Sequence, residues 1–202
     1  MNKQPEHYKE GIDRVSHIVE KVFPFKWTIW EKRFYNWLYD KGIAVEDYMK
    51  EASEWGTYIH KQMELYLLGK SPRTKKQYKE FVEAGKAAIE IEKMEPIELE
   101  LYLSNEFVQW TCDFYGIIRW EESIVDFKTY GLAKHKWSLH SPVYRKPTDK
   151  LKKAQLQLSI YRYLLKKPTK LYVLELEPLG YHLYELTYLW DEEIKRILFD
   201  NC

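Results

Sequence analysis

Three stretches of strand character between Ile97 and Thr129 lie close enough in sequence to pair as an antiparallel meander, and this limits the fold more than any other feature. Leu99, Leu101 and Leu103 alternate with Glu98, Glu100 and Tyr102, and strand candidates follow at Val108 to Trp120 and Ser123 to Thr129. Helical spacing precedes this sheet. Asp13 to Val22 reads as a short ordered segment broken by Pro24, and Thr28 can cap a helix running to Tyr39 or Asp40 before Gly42. From Val45 to Leu68 the positions Tyr48, Ala52, Trp55, Ile59, Met63 and Leu67 recur at helical period, which predicts one long helix with Gly56 as its candidate break point and a stop at Gly69. Lys75 to Lys93 repeats the pattern through Tyr78, Phe81, Val82, Ala87 and Ile89.

After the meander, Gly131 to Lys150 with Pro142 and Pro147 reads as a loop or lid, and Leu151 to Leu165 as a helix. Leu171 to Glu177 and Tyr181 to Thr187 form a hairpin around Pro178-Leu179-Gly180, and Asp191 caps a last helix. A chain of 202 residues has the length of one generous domain. The expected division is a mainly helical part over 1–95, a sheet core over 96–190 and a terminal helix over 191–202.

A net charge of +1 neither demands nor excludes a nucleic-acid partner, so local clustering must decide. The two cysteines, Cys112 and Cys202, cannot build a four-thiolate iron–sulfur cluster, so none is expected, and a free thiol suits a reducing compartment. No apolar run has the length of a membrane span or of a signal peptide, so the expectation is a soluble, cytoplasmic protein without a membrane partner. With 8 Trp and 17 Tyr, many of them between Phe23 and Tyr39, the chain could stack unpaired bases or simply pack a helix with large side chains.

The chemistry-bearing residues gather on and around the meander. Asp113 lies on one strand, and Asp126-Phe127-Lys128 lies on the next with Asp126 and Lys128 on one face. Two carboxylates could hold Mg²⁺ or Mn²⁺ through hard oxygens, with Lys128 steadying a nucleophile or a phosphate. Alone, an Asp-x-Lys reads first as a solvated strand edge, and only its company makes it a site. Gly56 and His60 stand one helical turn apart, so a close backbone approach and an imidazole share a face. Either Glu98 or Glu100 could add a carboxylate, with Glu98 preferred. Gln157 and Tyr161 project from one helix face and could orient Lys128 or a phosphate by neutral hydrogen bonds. Lys134, Lys136, Arg145, Lys146, Lys150, Lys152 and Lys153, with Trp137 and Tyr144 as stacking platforms, make either a polyanion track or an exposed lysine-rich loop.

In this order the motifs Gly56-x-x-x-His60, Glu98, Asp113, Asp126-Phe127-Lys128-Thr129 and Gln157-x-x-x-Tyr161 resemble the RecB-type branch of the PD-(D/E)xK nuclease superfamily. Arg14-Val15-Ser16-His17-Ile18, the Trp30 to Gly42 helix and the closing strands look like the subgroup of phage-encoded exonucleases and the mitochondrial genome-maintenance exonuclease. The resemblance implies an α/β fold with a restriction-endonuclease-like mixed central sheet flanked by helices and an N-terminal helical addition. It implies His60, Asp113, Asp126 and the Phe127 carbonyl as ligands of Mg²⁺ or Mn²⁺, Glu98 as a less constant acid, and Lys128 as the catalytic lysine. Gln157 and Tyr161 match the helix motif that supports the active site and contacts DNA. The implied activity is a metal-dependent deoxyribonuclease, an exonuclease on single-stranded DNA or DNA ends serving replication, recombination or repair. A structure-specific endonuclease, a CRISPR-adaptation nuclease and a non-cleaving nucleic-acid-binding module are its alternatives. One departure bears on substrate access: the family usually places a small residue three before the first Asp, where this chain has Trp110.

Overall fold

The computed structural model describes residues 9, 11–23, 29–71, 74–129, 149–178 and 180–201. In chain order the elements are β1 (Asp13–Arg14), α1 (Val15–Val22), α2 (Ile29–Asp40), α3 (Val45–Leu67), a 3-10 turn (Lys76–Tyr78), α4 (Lys79–Ile91), β2 (Glu95–Ser104), β3 (Val108–Ile118), β4 (Glu121–Lys128), α5 (Asp149–Leu165), β5 (Lys170–Glu177), β6 (Gly180–Leu186) and α6 (Asp191–Asn201). The fold is α/β, with an N-terminal helical part and a mixed six-stranded sheet flanked by helices. No helix among the described residues is long and apolar enough to cross a membrane.

Strands β4 and β5 pair in parallel, with α5 in the segment that links them, whereas β2–β3, β3–β4 and β5–β6 pair antiparallel. A parallel pair with covered faces needs apolar residues at successive positions rather than alternate ones. Ser123 to Phe127 and Leu171 to Leu176 are accordingly buried without interruption. One face of the sheet carries α1, α5 and α6, where Ile18, Leu158, Tyr161 and Ile194 pack on Ile124 and Val173. The other carries α3 and α4, where Ile59, Met63, Phe81 and Val82 pack on Phe114, Val125, Phe127 and Leu174. Each fully buried large aliphatic side chain contributes roughly 1.5–3 kcal/mol, so these two layers supply the main driving force for folding.

Helix α3 is the single long helix that the spacing predicts and runs without interruption through Gly56. Its first turn carries Glu46 and Asp47, acids that suit the positive end of the helix dipole, and Ile59, Gln62 and Met63 form its buried stripe. The aromatic residues of α2 divide: Phe34, Tyr35 and Trp37 are half-buried, whereas Tyr39 is exposed. Phe34 is 6.1 Å from Trp37 in a stacked pair and 5.2 Å from Tyr48 of α3 in an edge contact. The β3–β4 connection turns on Arg119 and Trp120, both left-handed at φ 48° and 77°. That is the backbone of a tight hairpin turn, made here without the glycine or asparagine that usually signals one.

Two irregularities shape the sheet around Asp113. Register shifts between Pro96 and Glu98, and Glu100 takes a left-handed φ of 53° inside β2. Residues two apart on a regular strand share a face, yet Leu99 packs in the α3/α4 layer and Leu101 in the α1/α5 layer. Cys112 and Phe114 part in the same way across Asp113. On its edge away from β2, β3 pairs with β4 only down to Phe114↔Val125 and with β1 at Val108 and Gln109. Between those pairings residues 110–113 meet no strand of the described residues on that edge, and a notch opens there.

Gly116 lies where β2 crowds β3. A methyl group there would collide with the Glu95 carbonyl oxygen and the Phe114 ring. Backbone cannot retreat as a side chain can, so Gly116→Ala is expected to lower stability by about 1–3 kcal/mol, read as a shift in the urea denaturation midpoint. An unchanged midpoint would show that β2 gives way freely at its bulge.

Candidate functional site

The notch brings Asp113 and Asp126 together. The β3–β4 register extended by one residue beyond Phe114↔Val125 sets the two acids opposite each other. In place of the next ladder bond, the Phe127 N–H donates to Asp113 Oδ2 at 2.8 Å. His60 reaches the same oxygen from α3, with Nδ1 at 3.5 Å, and its ring meets Phe127 edge-on at 5.9 Å. From the other face α5 supplies Gln157, whose amide donates to Asp126 Oδ1 at 3.2 Å and to the Tyr161 hydroxyl at 2.7 Å. Lys128 Nζ stands 2.5 Å from Asp126 Oδ2. Thus His60, Asp113, Asp126, Phe127, Lys128, Gln157 and Tyr161 converge, drawn from two strands and from helices on opposite faces.

Electrostatics separates the two acids. Burial alone would raise Asp113, but the charge and hydrogen bond of His60, the Lys128 ammonium and the Phe127 N–H together hold it below the ordinary carboxylate value. Burial raises Asp126, and the Asp113 charge adds to it; Lys128 offsets only part, so this carboxyl lies above its ordinary value. Burial disfavours the charged His60 imidazole, yet Asp113 outweighs that and raises its pKa. Tyr161 is pushed well up, first by burial and then by Asp126, so its phenol stays neutral as a hydrogen-bonding group.

The structure sets Glu100, and not Glu98, opposite Asp113. Glu98 is exposed and pairs with Tyr115, two residues along β3 from Asp113. Between Leu99↔Phe114 and Leu101↔Cys112, Glu100 falls beside Asp113. Burial of its carboxyl, then the charges of Asp113 and Glu64, push it up to about 7 even though the residue keeps exposed surface. Sequence alternation put Glu98 and Glu100 on one face and had no means of detecting the bulge that separates their surroundings.

Gly56 lies beneath Thr129, whose hydroxyl oxygen would be 3.5 Å from a methyl group at that position. An alanine would therefore fit, and the approach of α3 to the end of β4 does not require glycine. Trp110 packs into the α1/α5 layer, with the Arg14 guanidinium 6.0 Å from its ring centroid. Of the basic stretch, Lys134, Lys136, Trp137, Arg145 and Lys146 lie outside the described residues, as does Tyr144, and so does the Thr28 cap. Lys150 lies in α5, while Lys152 is exposed and Lys153 half-buried near the start of that helix.

Among the described residues no group of three His, Cys, Asp or Glu side chains is arranged to hold a metal ion. The Lys128 ammonium stands at the oxygen a cation would take, for Asp126 Oδ2 is buried and has an ion pair there but no bond of hydrogen-bond geometry. The donors themselves fit a hard divalent ion: two carboxylates and an imidazole, with Asp126 available once Lys128 turns aside.

Glu100 makes stability depend on pH. Its folded value of about 7 lies above the ordinary 4.5, so the unfolded chain releases this proton first and stability falls as pH rises between those values. In EDTA, Glu100→Gln is expected to flatten that fall and to add roughly 1 kcal/mol at pH 8, a figure reduced for the exposed part of the residue. Parallel stability–pH curves for the two proteins would contradict the assigned burial of this carboxyl.

No family model matches the chain, and no curated protein matches it. Among solved structures, the crystal structure of SSO0001 is similar at 15% identity over 96% of this chain and 76% of that one, with a TM-score of 0.43. A likeness that distant says nothing of the site.

Proposed function

We propose that this protein is a Mg²⁺- or Mn²⁺-dependent deoxyribonuclease, most readily an exonuclease acting on single-stranded DNA or DNA ends in phage or prokaryotic replication, recombination or repair. The observation that carries this reading is the convergence of His60, Asp113, Asp126, Lys128, Gln157 and Tyr161 at one notch in the sheet. Their order along the chain is that of the RecB-type PD-(D/E)xK nucleases, and the geometry gives each a chemical task.

Asp113, ionised and held by the Phe127 N–H, and Asp126, steadied by Gln157, would hold the ion together with His60 and the Phe127 carbonyl. A divalent ion bound there supplies an activated water and polarises a phosphate oxygen. Lys128 places a cation beside the reacting phosphate and stabilises the charge that develops on its oxygens. Gln157 fixes the direction of the Asp126 carboxylate, and Tyr161 in turn fixes Gln157. Glu100, adjacent to Asp113, adds a carboxyl able to gain or lose a proton near neutrality.

A second reading, a module that binds nucleic acid without cleaving it, draws on the ion pair that joins Lys128 to Asp126. One assay separates the two. Labelled single-stranded, duplex and circular DNA are incubated with Mg²⁺, Mn²⁺ or EDTA, alongside Asp126→Ala and Lys128→Ala. The nuclease reading expects cleavage that EDTA abolishes, with each substitution lowering the rate at least a hundredfold while DNA binding persists; loss of one preorganised charge commonly has that effect. Binding without cleavage in any metal favours the module. Full activity in Lys128→Ala sinks the mechanism.

A further inference from the structure

A recess of about 630 Å³ lies between the C-terminal end of α5, the start of α6 and the β2–β3 turn. No notch residue lines it, and its cations outnumber its acids. Arg162, half-buried in the last turn of α5, donates from Nη1 to the Thr169 carbonyl at 2.9 Å and holds its guanidinium 4.1 Å from the centre of the Tyr188 ring. These contacts fix the group yet use one of its five N–H donors, and no carboxylate among the described residues lies within ion-pair distance of it. Lys166, where the chain turns at a left-handed φ of 57°, and Lys195 on α6 are exposed and carry no ion pair among the described residues. Lys167 is already engaged, for its ammonium donates to the Tyr115 hydroxyl at 2.5 Å and stands 3.8 Å from Glu122. Of the two acids, Asp191 accepts the Tyr188 hydroxyl, and Glu106 is exposed on the turn. The same turn brings Ser104 and Asn105, whose Oδ1 accepts the Phe107 and Val108 N–H groups and so leaves its amide NH₂ to donate elsewhere.

A guanidinium drawn partly out of water and held by a ring and a neutral carbonyl keeps its charge uncompensated. Its planar fork matches two oxygens of one phosphate, and the two ammonium groups and the neutral donors suit the same anion. We propose that this recess grips the phosphate backbone of the nucleic-acid strand whose reacting linkage lies in the notch. Both of its walls lead there. On α5, Arg162 and Lys166 follow Gln157 by five and nine residues, which is about 8 and 14 Å along the helix axis. The β2–β3 turn runs straight into residues 110–113 of β3, the open edge of the notch. Phosphates recur about every 3.4 Å along each strand of a duplex, so a few nucleotides span that separation. An acidic peptide would meet the same cations, but only a strand continues into a site suited to a phosphodiester. The inference rests on the reading of the protein as one that acts on DNA.

Fluorescence anisotropy with a labelled single-stranded oligonucleotide in EDTA, repeated over a range of salt concentrations, tests it. The variant Lys166→Asn/Lys195→Gln removes both unpaired charges, and asparagine tolerates the left-handed backbone at 166. It is expected to bind about tenfold more weakly and to lower the slope of log affinity against log salt by about 1. Lys50→Gln/Lys79→Gln, which removes two exposed charges from α3 and α4, should leave affinity unchanged. Equal affinity and slope in wild type and the first variant overturn the proposal, as does an equal loss in the second. Thermal melts check folding. If the first variant does not fold, Lys195→Gln takes its place with about a threefold loss expected, and unchanged affinity there is equally fatal. Wild type that binds no DNA overturns the nucleic-acid reading itself; wild type that binds and cleaves beside an equally avid first variant overturns only the recess.

Discussion

Two acids on adjacent strands, opposite one another and withdrawn from water, are the constraint around which the sheet is arranged. Like charges about 5 Å apart in a protein interior repel by roughly 3 kcal/mol at an effective dielectric constant near 20, and burial adds its own penalty to each. A domain only marginally stable cannot carry that without compensation. Compensation comes from every side: Lys128 on Asp126, His60 and the Phe127 N–H on Asp113, and Gln157 on the remaining Asp126 oxygen. The two carboxyls also divide the burden, one held low and the other raised.

These partners come from both layers of the fold. His60 lies on α3 in one layer and Gln157 on α5 in the other, and an unbroken sheet would hold them apart. The notch along residues 110–113 removes that barrier. It exists because β4 and β1 share one edge of β3 without meeting, while the left-handed backbone at Glu100 lets the neighbouring strand change faces at the same level. Non-glycine residues in that conformation carry strain, and such strain tends to gather where a site demands a particular side-chain direction. Here it sets Glu100 beside Asp113.

Lys128 joins the core to the site. Its strand is buried on both faces through Phe127, and the lysine is the residue at which β4 emerges. Its position in the ladder places Asp126 two residues behind it and Glu175 directly across the strand pair.

The sequence by itself determined where helices and strands run and in what order, because the 3.6-residue and two-residue periods of buried side chains are written into it directly. It also determined which residue types could do chemistry, and His60, Asp113, Asp126, Lys128, Gln157 and Tyr161 were all legible there. Tertiary structure decided the rest. The bulge after Pro96 and the left-handed backbone at Glu100 set Glu100 opposite Asp113, a placement that strict alternation cannot express. The Arg119-Trp120 turn lacked any glycine to announce it. Only strand pairing, a contact between residues distant in sequence, set Glu175 opposite Lys128. The physical reason is common to all three: period and propensity are local, whereas register depends on which strands meet.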